Sequence, residues 1–157
     1  MKGIFVVRHA KAEDPDLQAD IKRALTSRGK MDASAAGREL NRQSCYPELI
    51  YCSSAVRTRE TLDAISNAYA FPFGVKFVPE FYYEGIEAYL DCIVSTSDDV
   101  DTIMFIGHNP SISVLASMLD NQKRIISLGT ANMLYFQLDI SNWAQFSPGE
   151  MLWWFRP

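Results

Sequence analysis

Ile4-Phe5-Val6-Val7-Arg8-His9-Ala10 is the stretch that decides the fold. Its first four residues form an unbroken β-branched and aromatic run. Such a run marks a strand buried on both faces, as in a parallel sheet. It ends abruptly in an arginine and a histidine. The pattern recurs downstream: Leu49-Ile50-Tyr51-Cys52 exits into Ser53-Ser54, and Thr102-Ile103-Met104-Phe105-Ile106 exits into Gly107-His108. Between these runs, apolar residues return at helical spacing. The groups are Ala33, Ala36 and Leu40; Leu62, Ile65 and Tyr69; Ile86, Tyr89, Leu90, Ile93 and Val94; and Ile112, Leu115 and Leu119. Val75–Val78 reads as a further strand, and Ala131–Leu138 and Met151–Phe155 as two closing strands around a Pro148-Gly149 turn. Lys11–Gly29 reads only as a polar stretch. The order β-α-β-α-β-α-β-α-β-β predicts a three-layer α/β/α fold with a mostly parallel sheet. Strand order is not legible at this level.

Residues 1–157 read as one domain, with no linker, repeat or low-complexity segment. The chain is 48% hydrophobic, enough for a substantial core. Its formal net charge is -4 and its Lys and Arg residues are scattered, which argues against a nucleic-acid partner. Cys45, Cys52 and Cys92 sit in apolar neighbourhoods without a CxxC, so they are expected to be buried free thiols. Free thiols suit a reducing compartment. The apolar run at the start is too short for a signal peptide, and none is long enough to span a membrane. The expectation is a soluble cytoplasmic protein with no membrane partner.

The chemistry gathers at the strand exits. The chain has two histidines, His9 and His108, and each directly follows a buried strand. In open α/β sheets, that edge carries the sites. A lone histidine is most often structural; two of two at this edge point to function. Zinc would require carboxylates to complete the ligand set. Here Arg8 flanks His9, and His108 lies at the start of a helix, with Asn109 suited to the N-cap and Pro110 to the first helical position. Both settings favour an anion. At the second exit, Ser53-Ser54 can cap the next helix, and Arg57 falls in its first turn. A cation there is electrostatically misplaced. A local rule broken at a strand exit flags function, and the guanidinium fork matches phosphate bidentately.

These residues resemble a known pattern. Arg8-His9-Ala10, Ser53-Ser54-Ala55-Val56-Arg57-Thr58-Arg59-Glu60-Thr61 and Gly107-His108-Asn109-Pro110 are similar to the motifs of the histidine phosphatase (phosphoglycerate-mutase-like) superfamily. They occur in the family's order and account for both histidines. Asp20-Ile21-Lys22-Arg23-Ala24-Leu25-Thr26-Ser27-Arg28-Gly29 further resembles the small SixA-like phosphohistidine phosphatase branch. The likeness runs from residue 3 to about residue 119.

The resemblance implies that His9 is the nucleophile and passes through a phosphohistidine intermediate. It implies that Arg8, Arg57 and His108 hold the phosphoryl oxygens, with Arg23 as a further contact, and that no metal or cofactor takes part. Larger relatives place a general acid after the third strand. Glu84 is the candidate here and Glu87 the second, although acidic residues suit a first helical turn in any case. If neither acts, the substrate is constrained. An imidazole leaving group, with a pKa of roughly 6.5, needs less proton help than an alkoxide. The expected partner is then a phosphorylated protein, a histidine phosphotransfer protein, presented to a site without a lid. Small-molecule phosphomonoester hydrolysis on the same scaffold, an inactive phosphate-binding module and a metal-dependent hydrolase are the alternatives.

Overall fold

A computed structural model of the chain describes residues 1–15, 18–69 and 71–157. Six strands form one sheet: β1 (Lys2–Arg8), β2 (Leu49–Cys52), β3 (Gly74–Phe77), β4 (Thr102–Gly107), β5 (Met133–Leu138) and β6 (Glu150–Phe155). Their order is β3-β2-β4-β1-β5-β6. The first four are parallel; β5 and β6 are antiparallel additions on one side. The helices are α1 (Ser27–Gln43), α2 (Val56–Asn67), the short α3 (Glu80–Tyr83), α4 (Ile86–Ser95) and α5 (Ser111–Leu119).

Strand alternation builds the layers. Phe5 and Val7 of β1 face Ala33, Ala36 and Leu40 of α1 and Leu62 and Ile65 of α2. Ile4 and Val6 face the other way, toward Tyr89, Ile93, Ile112 and Leu115 of α4 and α5. Both sides of β1 are thus sealed, as the continuous apolar run requires. The result is the expected three-layer α/β/α fold with a mostly parallel sheet. Gly37 lets α1 and α2 meet closely, because a Cβ there would strike the Ile65 carbonyl.

Several expectations shift. β3 lies at the sheet edge with all four residues exposed. Pro148-Gly149 is not a tight turn; residues 139–149 join β5 to β6 and include a 3₁₀ turn, Trp143–Gln145. α5 begins at Ser111 with Pro110 at its N-cap, one residue later than expected. Asn109 bonds sideways instead, accepting from Ser113 Oγ and donating to the Leu128 carbonyl. All three cysteines are free, but only Cys52 is buried. Trp153 and Trp154 are half-buried on opposite faces of the sheet edge. The polar stretch Lys11–Gly29, whose residues 16 and 17 lie outside the described residues, contains a 3₁₀ turn at Asp20–Lys22. Among the described residues, no helix is long and apolar enough to cross a membrane.

Candidate active site

Parallel pairing aligns the strand exits. Arg8 stands opposite Gly107, and Cys52 opposite Ile106. The residues that follow, His9, Ser53 and His108, therefore emerge side by side at one edge of the sheet. Their backbones stay tied there: His9 N–H donates to the Gly107 carbonyl and Ser53 N–H to the Ile106 carbonyl. The two imidazoles lie 5.3 Å apart, centroid to centroid. Gly107 makes room for this packing, since a Cβ there would collide with Tyr89 Oη, which accepts from His108 N–H.

His9 is buried, at 8% exposure. Its Nδ1 lies 2.8 Å from the Ala10 carbonyl oxygen. A carbonyl only accepts, so Nδ1 carries the proton and Nε2 keeps its lone pair. Burial pushes the His9 pKa down to about 4, assisted by the positive fields of Arg57, Arg8 and Arg23 and opposed by the Ala10 bond. At neutral pH the ring is uncharged, with its free nitrogen available for attack. The adjoining backbone is fixed through α2: Ala10 N–H donates to Thr61 Oγ1, which donates to the Arg57 carbonyl.

His108 is pushed down to about 3, first by burial and then by Arg57 and His9. Its Nε2 pairs with Ser53 Oγ at 2.7 Å. Ser53 therefore serves the second histidine; the helix cap expected of it falls to Ala55, which supplies no side-chain bond. Arg57 sits in the first turn of α2 and is buried, not solvated. Its Nη1 donates to the Asp20 carbonyl and its Nη2 to Asp20 Oδ2. Arg8 is anchored through Nη1 to the Leu128 carbonyl. Arg23 joins by way of Asp20, donating from Nε to Oδ1 at 2.9 Å.

The structure thus brings Arg8, His9, Arg57, His108 and Arg23 together. It does not bring Glu84. That side chain is exposed, makes no hydrogen bond to any of them, and lines a groove with Val78, Glu80, Ala88, Asp91, Cys92 and Ser95. Glu87 is likewise exposed, in the first turn of α4. Sequence reasoning placed the carboxylate that does arrive, Asp20, in the SixA-like segment without giving it a role, and passed over the phenol that holds it, Tyr82. Tyr82 Oη donates to Asp20 Oδ2 at 2.6 Å, and its ring meets His108 edge-on at 5.7 Å. The polarity of Asp20-Ile21-Lys22-Arg23 carried no spatial signal of this.

One feature defines what the pocket can do. Among the described residues, the buried side-chain polar atoms without a protein partner are Arg8 Nε, Arg57 Nε, His108 Nδ1 and Tyr69 Oη. Three of these four belong to this site. Buried polar groups are ordinarily satisfied, so unpaired nitrogens clustered beside a neutral histidine mark a place for an anion. No three His, Cys, Asp or Glu side chains among the described residues gather closely enough to hold a metal ion.

Residues 4–77 match the model of the histidine phosphatase superfamily, branch 1. The chain belongs to this superfamily. An uncharacterized chloroplastic protein of Arabidopsis thaliana is 34% identical over 155 residues, spanning 92% of this chain and 70% of that protein. The phosphohistidine phosphatase SixA of Escherichia coli is 26% identical over 120 residues, 74% of this chain and 73% of its own. The solved structure of a putative phosphohistidine phosphatase SixA from Nakamurella multipartitia superposes with a TM-score of 0.78 at 26% identity, covering 99% of this chain and 96% of that one. Histidine phosphatase membership, with the likeness to SixA proteins, makes the chain a hydrolase of the phosphatase class.

Proposed function

We propose that the protein is a metal-independent phosphohistidine phosphatase acting on a phosphorylated protein, a histidine phosphotransfer protein, in the cytoplasm. The observation that carries this is the set of unpaired buried nitrogens on Arg8, Arg57 and His108 around a neutral imidazole. His9 Nε2 attacks phosphorus in line. The Nε2–P bond forms as the bond to the leaving group breaks, and the electron pair departs with that group. The imidazole becomes cationic as it is phosphorylated, and its Nδ1–H remains on the Ala10 carbonyl, which shares the charge. Water then attacks phosphorus, the Nε2–P bond breaks, and inorganic phosphate leaves. Arg8, Arg57 and His108 hold the equatorial oxygens through both steps, with Arg23 at the margin. Phosphoryl transfer depends mainly on such positioning and charge stabilisation.

Glu84 is exposed and makes no hydrogen bond to the phosphate-binding residues, which supports an imidazole over an alkoxide leaving group. The likeness to the Escherichia coli phosphohistidine phosphatase SixA points the same way. The test uses a phosphohistidine-bearing protein and, separately, an aryl phosphate ester, with chelator present. Rapid quenching should trap acid-labile, base-stable phosphate on the enzyme, absent in His9→Ala, with faster turnover of phosphohistidine. Faster ester turnover would reassign the protein to small phosphomonoesters. Binding without release from either donor would make it an inactive phosphate-binding module.

A further inference from the structure

Among the described residues, the carboxylate bonded to Arg57 and Arg23 is Asp20, and the mechanism above leaves it unused. A fixed negative charge in a phosphate site opposes the substrate's own charge, so its presence calls for a second role. Asp20 does not block Arg57. It takes the end of the guanidinium, Nη1 through its carbonyl and Nη2 through Oδ2, and leaves the Nε edge free. An anion can still bind bidentately along that side.

Asp20 lies at the rim. Its side chain is 45% exposed, against 7% for Arg57 beside it. Its pKa is held down to about 2, first by the Tyr82 hydroxyl and then by Arg57 and Arg23, against the opposing effect of burial. An ionised carboxylate offers about four acceptor positions. Arg23 takes one on Oδ1, and Tyr82 and Arg57 take two on Oδ2. One position on Oδ1 is left. In-line attack by the buried His9 sends the leaving group outward, to the rim where Asp20 stands. A departing imidazole ring has a second nitrogen. When that nitrogen carries a proton, the P–N bond breaks with its electron pair returning to the ring and neutral imidazole leaves. No proton donor is then required.

We propose that Asp20 determines specificity by accepting the distal N–H of the phosphorylated imidazole, holding that ring as a cation while its P–N bond breaks. This rests on the phosphohistidine reading and deepens it. A phosphate ester offers no such N–H, so the same carboxylate disfavours esters. The charges facing the bound ring are Arg57 from α2, Arg23 just after the 3₁₀ turn and Arg8 at the end of β1, while Tyr82 from α3, His108 beyond β4 and His9 are the uncharged titratable groups around it. The nearby cations all lower the ring's proton affinity, and Asp20 is the group that raises it.

The test compares wild type with Asp20→Asn on a phosphohistidine-bearing protein and on an aryl phosphate, from pH 5 to 9. The variant is expected to lose about ten-fold or more of the preference for phosphohistidine, as for loss of one charge-assisted hydrogen bond. Its alkaline limb with phosphohistidine should move to lower pH. Equal losses on both substrates, or an unchanged preference, would overturn the proposal and leave Asp20 as a brace for Arg57. A wild-type enzyme that releases phosphate only from the ester would instead overturn the phosphohistidine reading itself. A second measurement is independent of how the variant folds. With wild type, phosphoimidazole methylated on its distal nitrogen has no N–H to give, and its KM should exceed that of phosphoimidazole about ten-fold. Equal KM values would overturn the proposal.

Discussion

The two ends of β1 each carry a shielded cation, and they treat it in opposite ways. Lys2, at 3% exposure, donates to the Asp98 carbonyl, the Val100 carbonyl and Asp101 Oδ1. Its three protons meet three oxygens. Arg8, six positions on, makes one bond to Leu128 and keeps a buried Nε unpaired. A cation that serves the fold is saturated by the fold. A cation that serves a substrate is fixed at one corner and left open at another. The same contrast separates Arg124, which is spent on Asp120, from Arg57, which keeps its Nε edge free.

The comparison breaks most visibly at the open end. His9→Asn should abolish the phosphoenzyme and lower kcat by about 10⁴ or more, read by quench labelling and steady-state turnover. Arg57→Lys keeps the charge but loses the fork. It should lower kcat/KM by about 10²–10³, with little change in melting temperature. Acid should act on the site and the fold together. His9 and His108 have pKa values depressed to about 4 and about 3. Their contribution to stability is therefore complete above the unfolded value of roughly 6.5 and is lost as pH falls through the folded values. Urea midpoints should decline over that window, while the acid limb of kcat/KM lies below pH 6.

The closed end predicts the reverse. Lys2→Met strands the Asp98 and Val100 carbonyls and should cost about 2 kcal/mol, or roughly 6 °C in Tm. Turnover per folded molecule should not change. Smallest of all, Glu84→Gln should leave both activity and Tm unaltered. A drop in ester turnover would mean that Glu84 reaches the pocket in the working enzyme.

What the sequence reveals divides along the same line. Buried strands announce themselves, because Ile4–Val7 and Thr102–Ile106 have no polar face to hide. His9, His108, Arg8 and Arg57 were legible because strand exits and broken charge rules are local. Strand order was not, since pairing β1 with β4 joins residues some hundred positions apart. The role of Asp20, and Tyr82 altogether, escaped the sequence for a related reason. The 3₁₀ turn at Asp20–Lys22 and the four-residue α3 are too short to leave a period, and only their tertiary contact makes them partners. Glu84 was chosen by proximity in sequence to the third strand; its neighbour two positions earlier is the one that turns inward.

β1 is flanked by β4 on one side and β5 on the other, and both lie beyond residue 101. A nascent chain therefore carries His9 out of the ribosome well before the strands that flank β1 exist to hold it. The imidazole of His108 is absent until β4 has been made. Arg8 finds its anchor only when Leu128 follows. Cleavage chemistry should switch on late in synthesis, once the segment carrying β4, His108, Leu128 and β5 has emerged.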